Sequence, residues 1–102
     1  MLQLLRSADF DKWLKSLKDG RAVARIVARL RSFELGNLGD CKAVKGSVWE
    51  LRIHYGQGYR IYYTQSGQIT YLLLVGGTKA LQRADIDEAV RLANEILKEQ
   101  RQ

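Results

Sequence analysis

His54 is the only histidine of this chain and the only side chain whose ordinary pKa lies near neutrality, so it is the first candidate for moving protons. It ends the run Val48-Trp49-Glu50-Leu51-Arg52-Ile53-His54, in which apolar and polar residues alternate as they do along a half-buried strand. Successive strand side chains face opposite ways. Glu50, Arg52 and His54 therefore share one side, and Trp49, Leu51 and Ile53 share the core side. Beyond Tyr55-Gly56-Gln57-Gly58, read as a hairpin loop, the strand Tyr59-Arg60-Ile61-Tyr62-Tyr63-Thr64 returns with Arg60 and Tyr62 on one face and Tyr59, Ile61 and Tyr63 on the other. Beside Arg52, His54 could act as general base or acid, and it could equally be a surface histidine at a strand end. Aromatics next to arginines can stack on unpaired bases. Tyr62 is read that way, Tyr59 and Tyr63 as core, and Tyr55 as either.

Other chemistries find no support. No histidine and cysteine cluster has metal-ligand spacing, so no metal and no cofactor is expected, and no Ser/His/Asp set is recognisable. Gly76-Gly77 lacks the helix and spacing of a phosphate loop and is read as a turn or bulge after an apolar strand.

The elements that would position these residues follow from periodicity. Leu2 to Leu5 reads as an edge strand. Phe10, Trp13, Leu14 and Leu17 recur at helical spacing, with Ser7 as N-cap. Asp19-Gly20 interrupts the pattern before a second helix with Val23, Ile26, Val27, Leu30 and Phe33 on its buried face. Arg21, Arg25 and Arg29 form a basic ridge opposite, either solvated or in contact with RNA. The hairpin strands and the run Ile69 to Val75 make a three-stranded meander. Asp85, followed by Glu88, resembles the cap of a third helix along Ile86, Val90, Ala93 and Leu97, with Leu92 off that stripe. The expected fold is α+β, a small antiparallel sheet with its helices on one face.

A chain of 102 residues has room for one domain over residues 1–102, and 46% hydrophobic content suits a packed core. The formal charge of +6 is uneven. Lys and Arg outnumber Asp and Glu eight to four over residues 1–35 and five to two over 36–79, but are outnumbered four to five over 80–102. A basic balance of this kind suits a polyanionic partner. The lone Cys41 cannot form an internal disulfide, the N-terminus lacks the pattern of a secretory signal, and Tyr71–Val75 is too short to span a bilayer. A cytoplasmic protein with no membrane partner is expected.

The run WELRIHYGQGYRIYY, then YLLLVGGTKALQRADIDEA, together with FDKWLKSLKDGRA near the N-terminus, resembles the RelE/ParE toxin superfamily, and most closely its HigB-like addiction-module killer branch. The resemblance implies a small sheet packed on two N-terminal helices with a further C-terminal helix. It also implies a toxin that cleaves mRNA on the ribosome, by attack of a ribose 2′-hydroxyl on the adjacent phosphate. Such cleavage needs a base, cations for the phosphorane charge and an acid for the leaving oxygen.

Arg60, in G-Y-R, matches the family's arginine at the scissile phosphate, and Arg52 matches a catalytic lysine position, where arginine supplies charge only. Lys79 matches the late basic residue, which could neutralise phosphate or donate a proton. Gln82 matches a position near the third helix and is grouped with Tyr55, Tyr62, Arg25 and Arg29 as an RNA contact. Two positions depart from the family. Glu50 replaces a lysine, and could pair with Arg52 or act as base, and Thr78 replaces an acid. The implied partners are a cognate antitoxin, with a helix-turn-helix DNA-binding domain, the ribosome and mRNA. The alternatives are a toxin that binds DNA gyrase without cleaving RNA, and a plain nucleic-acid-binding module.

Overall fold

The computed structural model of the chain describes residues 1–100. Its elements are β1 (Gln3–Arg6), α1 (Ala8–Ser16), α2 (Gly20–Glu34), β2 (Cys41–Lys45), β3 (Val48–Ile53), β4 (Tyr59–Gln65), β5 (Thr70–Thr78) and α3 (Gln82–Gln100), with a 3-10 turn at Lys79–Leu81 leading into α3. The class is α+β.

Both N-terminal helices begin at capping side chains. Ser7 Oγ accepts from the Phe10 amide at 2.9 Å, and Asp19 Oδ1 accepts from the Arg21 and Ala22 amides at 3.0 and 3.2 Å. Each such cap contributes about 1 kcal/mol. The α2 stripe is Ala22, Ile26, Leu30 and Phe33. Val27, expected to be buried, lies on the flank of that stripe and is 48% exposed.

The sheet has five strands in the order β1-β5-β4-β3-β2. The hairpin, the meander and the N-terminal edge strand stand where periodicity puts them, but three features differ from expectation. β2 was not foreseen, because CKAVK is short, carries two lysines and lies at the edge, where little burial is needed. β1 pairs parallel to β5, with Gln3 opposite Thr70, so the sheet is mixed. The long excursion through the helices and β2–β4 supplies the crossover that a parallel pair needs.

The third difference bears on the site: the helices cover both faces. Phe10, Ile26, Leu30 and Phe33 bury Leu51, Ile61, Tyr59 and Tyr63 on one face, while Ala89 and Ala93 of α3 lie with Val48, Tyr62, Leu74 and Val75 on the other. A bulge makes this possible. Tyr62 pairs with Val75 and Tyr63 with Leu73, so Leu74 is an extra residue and the apolar run of β5 feeds both cores. Trp49 sits on the expected side yet is 43% exposed, lining an open hollow with Leu38, Tyr63, Gln65 and Tyr71.

The Gly76-Gly77 pair is neither turn nor bulge. It continues β5 with two positions that have no room for a side chain, since a Cβ would lie 2.2 Å from the Trp13 ring at Gly76 and 1.9 Å from Asp85 Oδ2 at Gly77. α3 starts three residues before Asp85, whose carboxyl lies against Gly77 instead of capping the helix. Docked on the sheet, α3 turns Ala89 and Ala93 inward, keeps Leu92 partly buried and leaves Leu97 exposed.

Candidate functional site

Strand register builds the site in two rows on the α3 face. Arg52 stands opposite Arg60, and Arg60 opposite Gly77. One step further along, Glu50 stands opposite Tyr62, and Tyr62 opposite Val75. The start of α3 covers the second row, and Glu50 and Tyr62 are both 0% exposed. The first row opens into a cleft of about 480 Å³ at the hairpin end of the sheet, lined by Arg52, His54, Tyr55, Gly56, Gln57, Gly58, Arg60 and Lys79.

Gly58 brings two of these cations together. Its φ of +79° suits glycine, and its carbonyl accepts from the Lys79 amide at 2.9 Å. A Cβ there would lie 3.5 Å from both Arg60 Nη1 and Lys79 Cβ, so the two side chains flank the Gly58 backbone. Arg60 is 9% exposed, and Arg52 is half-buried.

His54 lies just past β3 with its side chain 74% exposed, and its Nε2 is 2.5 Å from Asp40 Oδ2. Asp40 Oδ1 is 3.5 Å from Arg52 Nε, and the Asp40 carbonyl accepts from the Arg52 amide at 3.0 Å. The hydrogen bond from His54, aided by the Arg52 charge, holds the Asp40 carboxyl below the ordinary carboxylate range.

Behind the cleft, Glu50 Oε1 lies 3.6 Å from Arg52 Nε and its Oε2 3.6 Å from Arg60 Nε; these are ion pairs slightly longer than hydrogen bonds. Gln82 Nε2 donates to Glu50 Oε2 at 2.7 Å. The Tyr62 hydroxyl points toward Glu50 without ordinary hydrogen-bond geometry. Burial, then the Glu50 charge, raises its pKa well above the usual phenol value. Three expectations are corrected here. Tyr62 cannot stack on a base, because α3 covers it. Gln82 turns its amide inward to Glu50 and away from the cleft. Buried Glu50, in turn, cannot reach a substrate hydroxyl as base.

Beside the cleft, the Arg25 guanidinium lies 5.0 Å from the centroid of the Tyr55 ring, a cation–π contact. A second hollow, shared by Arg25, Arg29, Asp40, Arg52, His54 and Tyr55, continues the basic surface along α2. Within it, Arg29 donates to the Leu38 carbonyl and lies 3.8 Å from Cys41 Sγ. The structure thus brings Arg52, His54, Arg60, Lys79 and Tyr55 together, sets Arg25 and Arg29 along the adjoining hollow and turns Tyr62 and Gln82 inward. The pairing of Glu50 with Arg52 agrees with the sequence reading, whereas the role of Asp40 and the pairing of Glu50 with Arg60 were not apparent from sequence. Asp40 precedes a strand that the pattern does not announce, and the second arginine of Glu50 comes from the paired strand.

Among the described residues no group of three or more His, Cys, Asp or Glu side chains could hold a metal ion, and no helix is long and apolar enough to cross a membrane.

Two comparisons place the chain. It is 43% identical over 95 residues to an uncharacterized protein of Haemophilus influenzae, covering 93% of this chain and 96% of that one. Residues 12–98 match the model of the family described as phage derived protein Gp49-like (DUF891). Because the match runs from within α1 to the last turns of α3, the chain belongs to the phage-derived Gp49-like family, a RelE/toxin-like family of toxin–antitoxin systems, which implies an antitoxin as partner.

Proposed function

We propose that this protein is a HigB-like toxin that cleaves mRNA on the ribosome and so stops translation, without a metal, and that a helix-turn-helix antitoxin restrains it. The observation that carries this reading is the convergence of Arg52, His54, Arg60 and Lys79 on one open cleft. An exposed cleft rich in cations fits a polyanion, and Tyr55 beneath Arg25 offers an aromatic face at its rim for an unpaired base.

In the reaction, the ribose 2′-oxygen bonds to the adjacent phosphorus and the 5′-oxygen leaves. The products are a 2′,3′-cyclic phosphate and a 5′-hydroxyl. The guanidiniums of Arg60 and Arg52 neutralise the charge that grows on the phosphate oxygens. In its neutral form His54 donates from Nε2 to Asp40, which leaves Nδ1 to take the 2′-hydroxyl proton. Lys79, beside Arg60, delivers a proton to the leaving oxygen.

The chemistry is tested with an mRNA carrying a 2′-deoxy nucleotide on the 5′ side of the scissile phosphate, translated in a reconstituted reaction. Cleavage of the all-ribo message and its loss at the deoxy position would support the reading. Cleavage at the deoxy position would refute the 2′-hydroxyl mechanism.

A further inference from the structure

Glu50 lies next to the cleft, yet the cleavage chemistry above makes no use of its charge. A fully buried carboxylate is costly unless charges and hydrogen bonds compensate it. Here compensation comes from three sides. Its two oxygens each lie 3.6 Å from the Nε of a different arginine, Arg52 and Arg60, and Gln82 donates to it from the first residue of α3. The two arginines are directly opposed across β3 and β4, an arrangement of like charges that is unfavourable by itself. Glu50, two residues before Arg52 on β3, stands behind both guanidiniums. Arg60 turns its Nε to Glu50 while its Nη1 lies by Gly58 in the cleft wall.

We propose that Glu50 is the positioning residue of the site: it holds the Arg52 and Arg60 guanidiniums side by side at the cleft wall, while Gln82 fixes the carboxylate from α3. This rests on the ribonuclease reading for its catalytic consequence, though not for the arginine geometry itself. It separates Glu50 from a general base, because the carboxylate is sealed from the cleft by the arginines it holds.

The proposal predicts a split that loss of fold would not give. Glu50→Gln keeps the shape but removes a negative charge, so the site becomes more attractive to RNA while its arginines lose their alignment. On programmed ribosomes, kcat should fall about 100-fold, the scale of misplacing reacting groups by about 1 Å, and KM should not rise. In the free protein, the Arg52 and Arg60 Nε–Hε signals in nitrogen-15 NMR should be protected from exchange with water and should lose that protection in the variant. Should Glu50→Gln not fold, Gln82→Ala, which leaves the carboxylate in place, should move both readouts the same way by a smaller factor. Unchanged kcat, or reduced kcat with the Nε–Hε protection intact, would overturn the proposal. Loss of protection in the variant, from a wild-type protein that cleaves nothing, would uphold the arginine lock and sink only the ribonuclease reading.

Discussion

The Asp85 carboxyl occupies the space that a side chain on Gly77 would need: Oδ2 lies 1.9 Å from where the Cβ would stand. Since Gly77 pairs with Arg60, this contact fixes how closely α3 approaches the row of residues that opens into the cleft. Gly77→Ala should destabilise the protein by about 1–3 kcal/mol, as overpacking does. The double variant with Asp85→Ala should recover most of that loss. Thermal or denaturant unfolding of the two single variants and the double checks the coupling, and additive losses would contradict it.

Asp85 is also a source of pH dependence. Burial raises its pKa above the ordinary 3.8. The folded state therefore favours its protonated form, and the resulting stability is full below the unfolded pKa and lost as pH rises through the folded one. Asp85→Asn should accordingly stabilise the protein at neutral pH and make no difference in acid below the ordinary carboxylate pKa. Unfolding midpoints across that range test this, and an equal effect at all pH values would contradict it.

Much of this architecture was legible in the sequence because burial patterns announce it. Ser7 and Asp19 open helices, and Val48 to Thr64 alternates around a glycine-rich turn, so the gathering of Arg52, Arg60 and His54 near one hairpin followed from period two alone. What was hidden depends on contacts that no local pattern encodes. The alternation of β3 reads as core on one side and solvent on the other, so Glu50 and Tyr62 read as exposed. Only the docking of α3, helped by the extra residue at Leu74, shows that the second face is also a core. Asp40 was hidden for a related reason: an edge strand that buries little leaves a weak pattern, and the loop before it has none.

Tyr55 and Tyr62 should now behave in opposite ways. Tyr55 lines the cleft under Arg25, so Tyr55→Ala should weaken RNA binding by about 1–3 kcal/mol, the usual value of stacking on one base. Tyr62 is sealed beneath α3 and its hydroxyl has no hydrogen-bond partner among the described residues, so Tyr62→Phe should leave RNA binding unchanged and shift stability by less than about 1 kcal/mol. Titration of a fluorescent single-stranded RNA, beside an unfolding curve for each variant, separates the two.

The division of proton transfer can be read from three variants. His54→Ala should reduce cleavage by about 10²–10⁴-fold, the range of general acid–base catalysis. Asp40→Asn, which removes the charge that orients the ring, should cost less than His54→Ala. Lys79→Met should slow departure of the 5′-oxygen. Single-turnover rates on programmed ribosomes check the order, and a His54→Ala protein with the wild-type rate would remove histidine from the mechanism.

If the cleft around Arg60 cuts messenger RNA, cleavage depends on that guanidinium. Primer extension on a reporter mRNA in a reconstituted translation reaction, comparing the antitoxin-free protein with Arg60→Ala, tests it most directly. The expected result is ribosome-dependent cuts with the intact protein and their disappearance with the substitution, while the variant remains folded. Absence of cuts from the folded intact protein, or cuts that survive Arg60→Ala unchanged, would contradict it.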